Sequence, residues 1–250
     1  MRIMIVKNYN EMSYQAAQLI ADQIIYKKNS VLGLATGSTP IGMYKELIRK
    51  FQKGELDFSQ VVTFNLDEYY GLSIEHPQSY GFFMWNILFR HINLKRENVH
   101  LLNGVTKNID NECRQYEDLI QKNGGIDLQI LGIGDNGHIG FNEPDISFDT
   151  QTHLVNLTTK TIRANSRFFN NTQEVPKQAI TMGIGTIMRA KKIILLANGK
   201  RKTKAIERTI NSPITTKVPA TVLQLHKEVT IIIDKAASSL LASDGNIFFN

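Results

Sequence analysis

Cysteine, proline and tryptophan are scarce: the 250 residues hold one Cys, six Pro and one Trp. A single cysteine excludes an internal disulfide and a cysteine-rich zinc site. Cys113 sits in the amphipathic run from Glu112 to Ile120 and reads as a small buried helix residue. Long hydrophobic runs are absent too. No stretch approaches the roughly 20 apolar residues of a membrane span, and Met1 to Lys7 turns polar too soon for a signal peptide. A cytoplasmic protein with no membrane partner is expected. Linker-like segments and long repeats are also missing, so one domain over 1–250 is the simplest organisation.

Acidic residues are in deficit: 23 Asp and Glu against 29 Lys and Arg give a net charge of +6. The basic residues are scattered, and the densest group is Lys200, Arg201, Lys202 and Lys204. A nucleic-acid reader concentrates its charge on one face, so a solvated basic surface or an anionic small molecule fits better.

What is present is an alternation of short apolar runs with helical periodicity. Ser13 to Tyr26, Ile41 to Phe51, Ser79 to Ile92, Asn111 to Lys122 and Thr203 to Ile210 read as helices, with Pro40 at the first position of the second. Val31 to Ala35, Val61 to Leu66, Ile126 to Ile133, Lys192 to Ala197 and Val229 to Asp234 read as buried strands. The pattern predicts an α/β, Rossmann-like and mostly parallel sheet with helices on both faces. Such sheets bind ligands beyond the C-terminal ends of their strands.

Three strand ends carry chemistry. Thr36-Gly37-Ser38-Thr39-Pro40 joins a strand to a helix; its hydroxyls and free N–H groups suit a phosphate, or Ser38 or Thr39 simply caps the helix. Asp67-Glu68 ends the next strand, where burial and mutual repulsion raise a carboxylate's proton affinity towards neutrality, unless the pair forms an exposed acidic turn. Gly132 to Pro144 follows a third strand. Its Gly132, Gly134 and Gly137 have dinucleotide-fingerprint spacing, but Pro144 interrupts the required helix and no acid follows at the ribose position. The glycines instead present His138, with Asn136 and Glu143 close enough in sequence to orient it. His138, Glu143 and Asp135 match no metal-ligand spacing, and no metal is expected.

With these loops in view, the sequence closely resembles the glucosamine-6-phosphate deaminase family. The likeness rests on Leu-Gly-Leu-Ala-Thr-Gly-Ser-Thr-Pro, Phe-Asn-Leu-Asp-Glu-Tyr, Gly-His-Ile-Gly-Phe-Asn-Glu-Pro and Ala164-Asn-Ser-Arg-Phe-Phe, with Thr181-Met-Gly-Ile-Gly-Thr and Leu223-Gln-Leu-His further on. It implies a sugar-phosphate isomerase fold and conversion of glucosamine 6-phosphate and water to fructose 6-phosphate and ammonia, without metal or organic cofactor. It implies that His138, assisted by Glu143 and Asn136, opens the sugar ring, and that Asp67 moves a proton from carbon 2 to carbon 1. For the phosphate it points to Gly37, Ser38, Thr39, Arg167 and a lysine matching Lys204, with Lys200 and Lys202 as alternatives. Asn136 stands where some relatives carry aspartate, which puts a charged relay to His138 in doubt; Asp135 is a substitute to test.

Rival readings are a 6-phosphogluconolactonase or another phosphosugar isomerase of the same fold. More remote is a sugar-sensing regulator domain, which would need a DNA-binding helix pair ahead of the first strand. Residues 156–177 read as a lid, and the short stretch after Asp234 leans towards a monomer or dimer, leaving a homo-oligomer open. Larger relatives respond to N-acetylglucosamine 6-phosphate through basic residues soon after Asn-Glu-Pro. Phe148 to Asn156 has none, so substrate saturation should be hyperbolic and indifferent to that compound; a sigmoidal curve straightened by it would contradict this.

Overall fold

The computed structural model describes residues 1–241 apart from 167, 168 and 170. Its main sheet is built from β1 (Arg2–Val6), β2 (Val31–Leu34), β3 (Val62–Asn65), β5 (Val99–His100), β6 (Leu128–Leu131), β9 (Lys192–Ala197) and β10 (Val229–Asp234). The order is β1-β10-β9-β6-β2-β3-β5, with every pairing parallel. All residues of β2 and β6 are buried, as expected for strands covered on both faces.

Helices α1 (Tyr9–Tyr26), α2 (Ile41–Gln52), α3 (Tyr80–Ile87), α4 (Ile109–Lys122), α5 (Thr159–Asn165), α6 (Ile184–Met188) and α7 (Thr203–Asn211) connect the strands. Helix α1 buries Met12, Ala16, Ala17, Ile20, Ala21 and Ile24 on one face. It begins four residues before its apolar pattern because Asn8 caps it, its side chain accepting from the Glu11 N–H. Helix α3 stops at Ile87, and Phe89–His91 forms a separate 3-10 turn, so the expected helix to Ile92 is broken. Pro40 is the N-cap of α2 rather than its first residue. No described helix is long and apolar enough to cross a membrane.

From β2 the chain winds outward through β3 to β5, then returns to place β6 on the other side of β2. The loops leaving β2 and β6 therefore diverge, and a crevice opens at their C-terminal ends.

A second sheet lies beyond that crevice, made of β4 (Asp67–Tyr69), β8 (Gln178–Thr181) and β7 (His153–Asn156), antiparallel in the order β4-β8-β7. The sequence pattern predicts no such sheet, and Asp67-Glu68-Tyr69 is expected there as a strand end or exposed acidic turn. The segment is instead a buried strand, with Asp67 opposite Thr181 and Tyr69 opposite Ala179.

At the opposite end of the main sheet, Asp127 ties three segments together. Its carboxylate accepts from Lys27 Nζ at 2.6 Å, Lys191 Nζ at 2.7 Å and the Val31 N–H at 2.8 Å. Burial works against its charge, but the two lysines and the N–H outweigh it and hold the carboxyl below its ordinary range. Replacing Asp127→Ala orphans the Val31 N–H and should cost about 2 kcal/mol in denaturant unfolding at neutral pH. A group with a depressed folded-state pKa stabilises above its unfolded value and loses that contribution as pH falls through the folded one. The difference between parent and variant should therefore shrink in strong acid.

Candidate active site

A cleft of about 1080 Å³ occupies the crevice and is lined by all three loops singled out in the sequence. Among its lining residues are Gly37, Ser38, Thr39, Asp67, Asn136 and His138, with Lys200, Arg201 and Lys202 at the β9–α7 turn. Glu143 lies behind His138.

The first wall is the turn after β2. Gly37 has φ +87°, a left-handed conformation that favours glycine. No side chain caps α2, so neither Ser38 nor Thr39 serves as its cap. The helix carries no acidic residue in its first turn, which leaves its N-terminal N–H groups suited to an anion.

The second wall carries Asp67, only 7% exposed. Burial first, and the neighbouring Glu68 charge second, push its pKa up to about 8. Glu68 is also buried, and its carboxylate accepts the N–H groups of Tyr69, Tyr80 and Gly81 at 2.8, 2.9 and 2.8 Å. Burial raises Glu68 to about 7 while those three N–H groups favour its charge. Two of these N–H groups, those of Tyr80 and Gly81, open α3, so Glu68 fastens that helix, and the cleft-lining Tyr80, to β4. Tyr80 stacks near Phe141, with centroids 6.1 Å apart, and both line the cleft beside Asp67.

The third wall presents His138. Its ring lies against the backbone of Gly134, where a Cβ would fall 2.3 Å from a ring carbon, so the loop accepts no side chain there. His138 Nδ1 and Glu143 Oε2 are 3.5 Å apart, an ion-pair separation too long for a good hydrogen bond. Nδ1 has no hydrogen-bond partner among the described residues. Glu143 is braced from its other sides: Asn136 Nδ2 donates to Oε2 at 2.7 Å and the Thr161 hydroxyl donates to Oε1. Burial alone would raise Glu143, but His138, Thr161 and Asn136 reverse this and bring it to about 2. Asn136 thus holds Glu143 and, through Oδ1, the His138 N–H at 3.2 Å rather than the imidazole ring.

Asp135 does not substitute for a charged relay to His138. It faces the opposite wall, where it accepts from Lys202 Nζ at 2.7 Å and Arg201 Nη2 at 2.8 Å. Lys204 is exposed on α7 and does not line the cleft, whereas Lys200 and Lys202 do. Lys202 ends a 3-10 turn and Lys204 lies in the first turn of α7, where it is exposed outside the cleft. Arg167 lies outside the described residues. The sequence pattern does not single out Tyr80, Phe141, Lys160 or Arg163 as cleft residues; the last two fall within the 156–177 segment read as a lid. No cluster of three or more potential metal ligands occurs among the described residues.

The glycine-bearing loop after β6 leads into β7 with no intervening helix, which removes the helix N-terminus that a dinucleotide fingerprint requires. The arrangement is an acid–base cleft with a cationic rim, set at the switch point of a doubly wound α/β sheet.

The family model for Glucosamine-6-phosphate isomerases/6-phosphogluconolactonase matches residues 7–232, and the chain belongs to that family. It is 62% identical over 244 residues to a glucosamine-6-phosphate deaminase of Thermoanaerobacter sp. (strain X514), covering 98% of this chain and 96% of the relative. A glucosamine-6-phosphate deaminase of Clostridium acetobutylicum is 59% identical over 241 residues, covering 96% and 100%. Among solved structures, a monomeric glucosamine-6-phosphate deaminase superposes with TM-score 0.94 at 47% identity, covering 96% of this chain and all of that one. A 6-phosphogluconolactonase from Leishmania guyanensis, 21% identical over 97% and 99% of the two chains, has TM-score 0.73 and shares the fold.

Carbon-13 NMR titration of the side-chain carboxyls should find Asp67 titrating near 8 and Glu143 near 2. Replacing Glu68→Gln removes the neighbouring negative charge and should move the Asp67 titration to lower pH. An Asp67 titration that stays in place would show that burial alone sets it.

Proposed function

We propose that this chain is an enzyme that isomerises and deaminates glucosamine 6-phosphate, yielding fructose 6-phosphate and ammonia. The observation that carries the reading is the pairing, in one cleft, of a buried carboxyl raised to about 8 with a histidine backed by a carboxylate lowered to about 2. Two acid–base groups tuned apart in this way suit a reaction with two distinct proton transfers. The names of the relatives at 58–62% identity supply the substrate.

In this mechanism His138 takes the proton of the anomeric hydroxyl and returns one to the ring oxygen, opening the pyranose. Glu143 stabilises the imidazolium formed between those steps, and Asn136 holds Glu143 in place. Asp67, in its ionised form, then removes the proton from carbon 2 of the open-chain aldehyde while the substrate's ammonium passes one to the carbonyl oxygen, giving an enolamine, and Asp67 delivers its proton to carbon 1. The ketimine left at carbon 2 adds water and expels ammonia, leaving the ketone. Burial serves Asp67 because a carboxylate with raised proton affinity is a stronger base towards carbon. Its ionised form is the active one, so kcat/KM should rise with pH through about 8 in the free enzyme.

Gly37, Ser38 and Thr39 receive the phosphate at the start of α2, and Lys202 is the lysine facing it, in place of Lys204. Arg167 is retained as a phosphate ligand on the strength of the family resemblance. Residues 156–177 act as a cover over the sugar: Lys160, Arg163 and Phe169 line the cleft, and Thr161 reaches Glu143. The chain works as one domain in the cytoplasm on a freely diffusing sugar phosphate, with no organic cofactor.

The test is release of ammonia and fructose 6-phosphate from glucosamine 6-phosphate with chelator present. The parent should form both in equal amounts, and Asp67→Asn should lower kcat by about 100- to 10,000-fold. Under the same reading the sugar phosphate slows hydrogen exchange across 156–177. No product from a folded parent, with hydrolysis of 6-phosphogluconolactone instead, would sink the proposal.

A further inference from the structure

The phosphate end of the cleft contains an acid that the proposed chemistry does not use. Asp135 lines the cleft at the end of β6, bonded to Lys202 Nζ at 2.7 Å and Arg201 Nη2 at 2.8 Å from across the opening. Side-chain exposure is 22% for Asp135 and 25% for Lys202, so this pair is shielded, while Arg201 at 74% is largely in solvent. Burial opposes the charge on Asp135, but the bonds from Lys202 and Arg201 outweigh it and keep the carboxyl below its ordinary range. Lys200, beside them on the rim, has no ion-pair partner among the described residues.

We propose that Asp135 is an internal counter-anion that holds Lys202 and Arg201 in the empty cleft and surrenders them to the incoming phosphate. The inference rests on the reading of this rim as the phosphate end of the substrate site. Lysine has three donors on one ammonium, and only one is engaged by Asp135, so phosphate binding can begin before the ion pair is broken. The dianion and Asp135 then compete for the same cations, and like charges at such separations repel strongly in a partly shielded site. Asp135 thereby weakens anion binding. It limits occupation of the cleft by free phosphate and hastens departure of the phosphorylated product. Because Asp135 adjoins Asn136, the exchange of partners at the rim takes place one residue from the brace of Glu143.

The experiment is competitive inhibition by inorganic phosphate, measured with KM for glucosamine 6-phosphate in the parent, Asp135→Asn, Asp135→Glu and Lys202→Met. Asp135→Asn should lower the phosphate inhibition constant and KM together by about three- to tenfold at low ionic strength. The gain should fade as salt is raised. Asp135→Glu, which keeps the charge, should stay near the parent, and Lys202→Met should weaken phosphate inhibition. A gain in affinity cannot arise from misfolding, which separates this role from a structural one. An inhibition constant unchanged or raised in Asp135→Asn overturns the proposal, a rise showing that Asp135 merely orients the lysine. If the parent itself neither turns over the sugar phosphate nor is inhibited by phosphate, the functional reading fails instead.

Discussion

The site depends on how strand β8 is gripped from two sides. Its Thr181 lies opposite Asp67 in the antiparallel pairing, and the Met182 N–H bonds the Leu66 carbonyl at 2.8 Å. From the other side, the Thr181 hydroxyl accepts the Phe141 N–H and the Asn142 amide donates to the Met182 carbonyl at 2.8 Å. Asn142 and Thr181 are fully buried, where an unmade hydrogen bond is costly. Two segments separated by about seventy residues, strand β4 bearing Asp67 and the loop bearing His138 and Glu143, are thus fixed against one two-residue segment. Shifting β8 by one residue would turn its side chains to the other face and release both loops.

That frame allows two carboxylates to be tuned in opposite directions. Among the described residues Asp67 receives no hydrogen bond that would stabilise its charge, so burial and Glu68 set its behaviour. Glu143 is also shielded, yet an amide, a hydroxyl and an imidazole converge on it. Burial pushes both carboxyls up, and at Glu143 the converging donors and the imidazole overturn it. A carboxyl with raised affinity can carry a proton near neutral pH, and one held ionised can only steady a neighbour's charge. The opposite tuning follows from the packing.

How much of this could be read in the sequence varied with burial. β2, β3, β6, β9 and β10 were legible because strands covered on both faces become mostly apolar runs without strict alternation. β7 was not: its four residues are half-buried to exposed, and His153 and Asn156 carry no strand pattern. β4 was missed for the opposite reason, since Asp-Glu-Tyr looks like surface and becomes core only when β8 and α3 close over it. The three chemical loops were legible because glycine and proline punctuate strand ends. The direction of individual side chains beyond those ends was not, as Asp135 and Lys204 show. The 3-10 turn over Lys200–Lys202 sets which lysine faces the cleft, and nothing local in a run of basic residues encodes that.

The adjacent residues Asp135 and Asn136 show why an amide serves at a position where a second acid would be expected. Asn136 Nδ2 donates to Glu143 at 2.7 Å. An aspartate in the same pose would face that carboxylate oxygen to oxygen, and the two would have to share a proton. Glu143 would then lose the charge that supports His138. With the amide in place, one full negative charge stays behind the imidazole. The acid next along the chain turns to Lys202 and Arg201 instead. The loop therefore separates its duties by a single peptide unit: Asn136 holds the carboxylate behind the histidine, while Asp135 holds the cations at the rim. Exchanging the two residues would put charge where the brace needs a donor and a donor where the cations need charge.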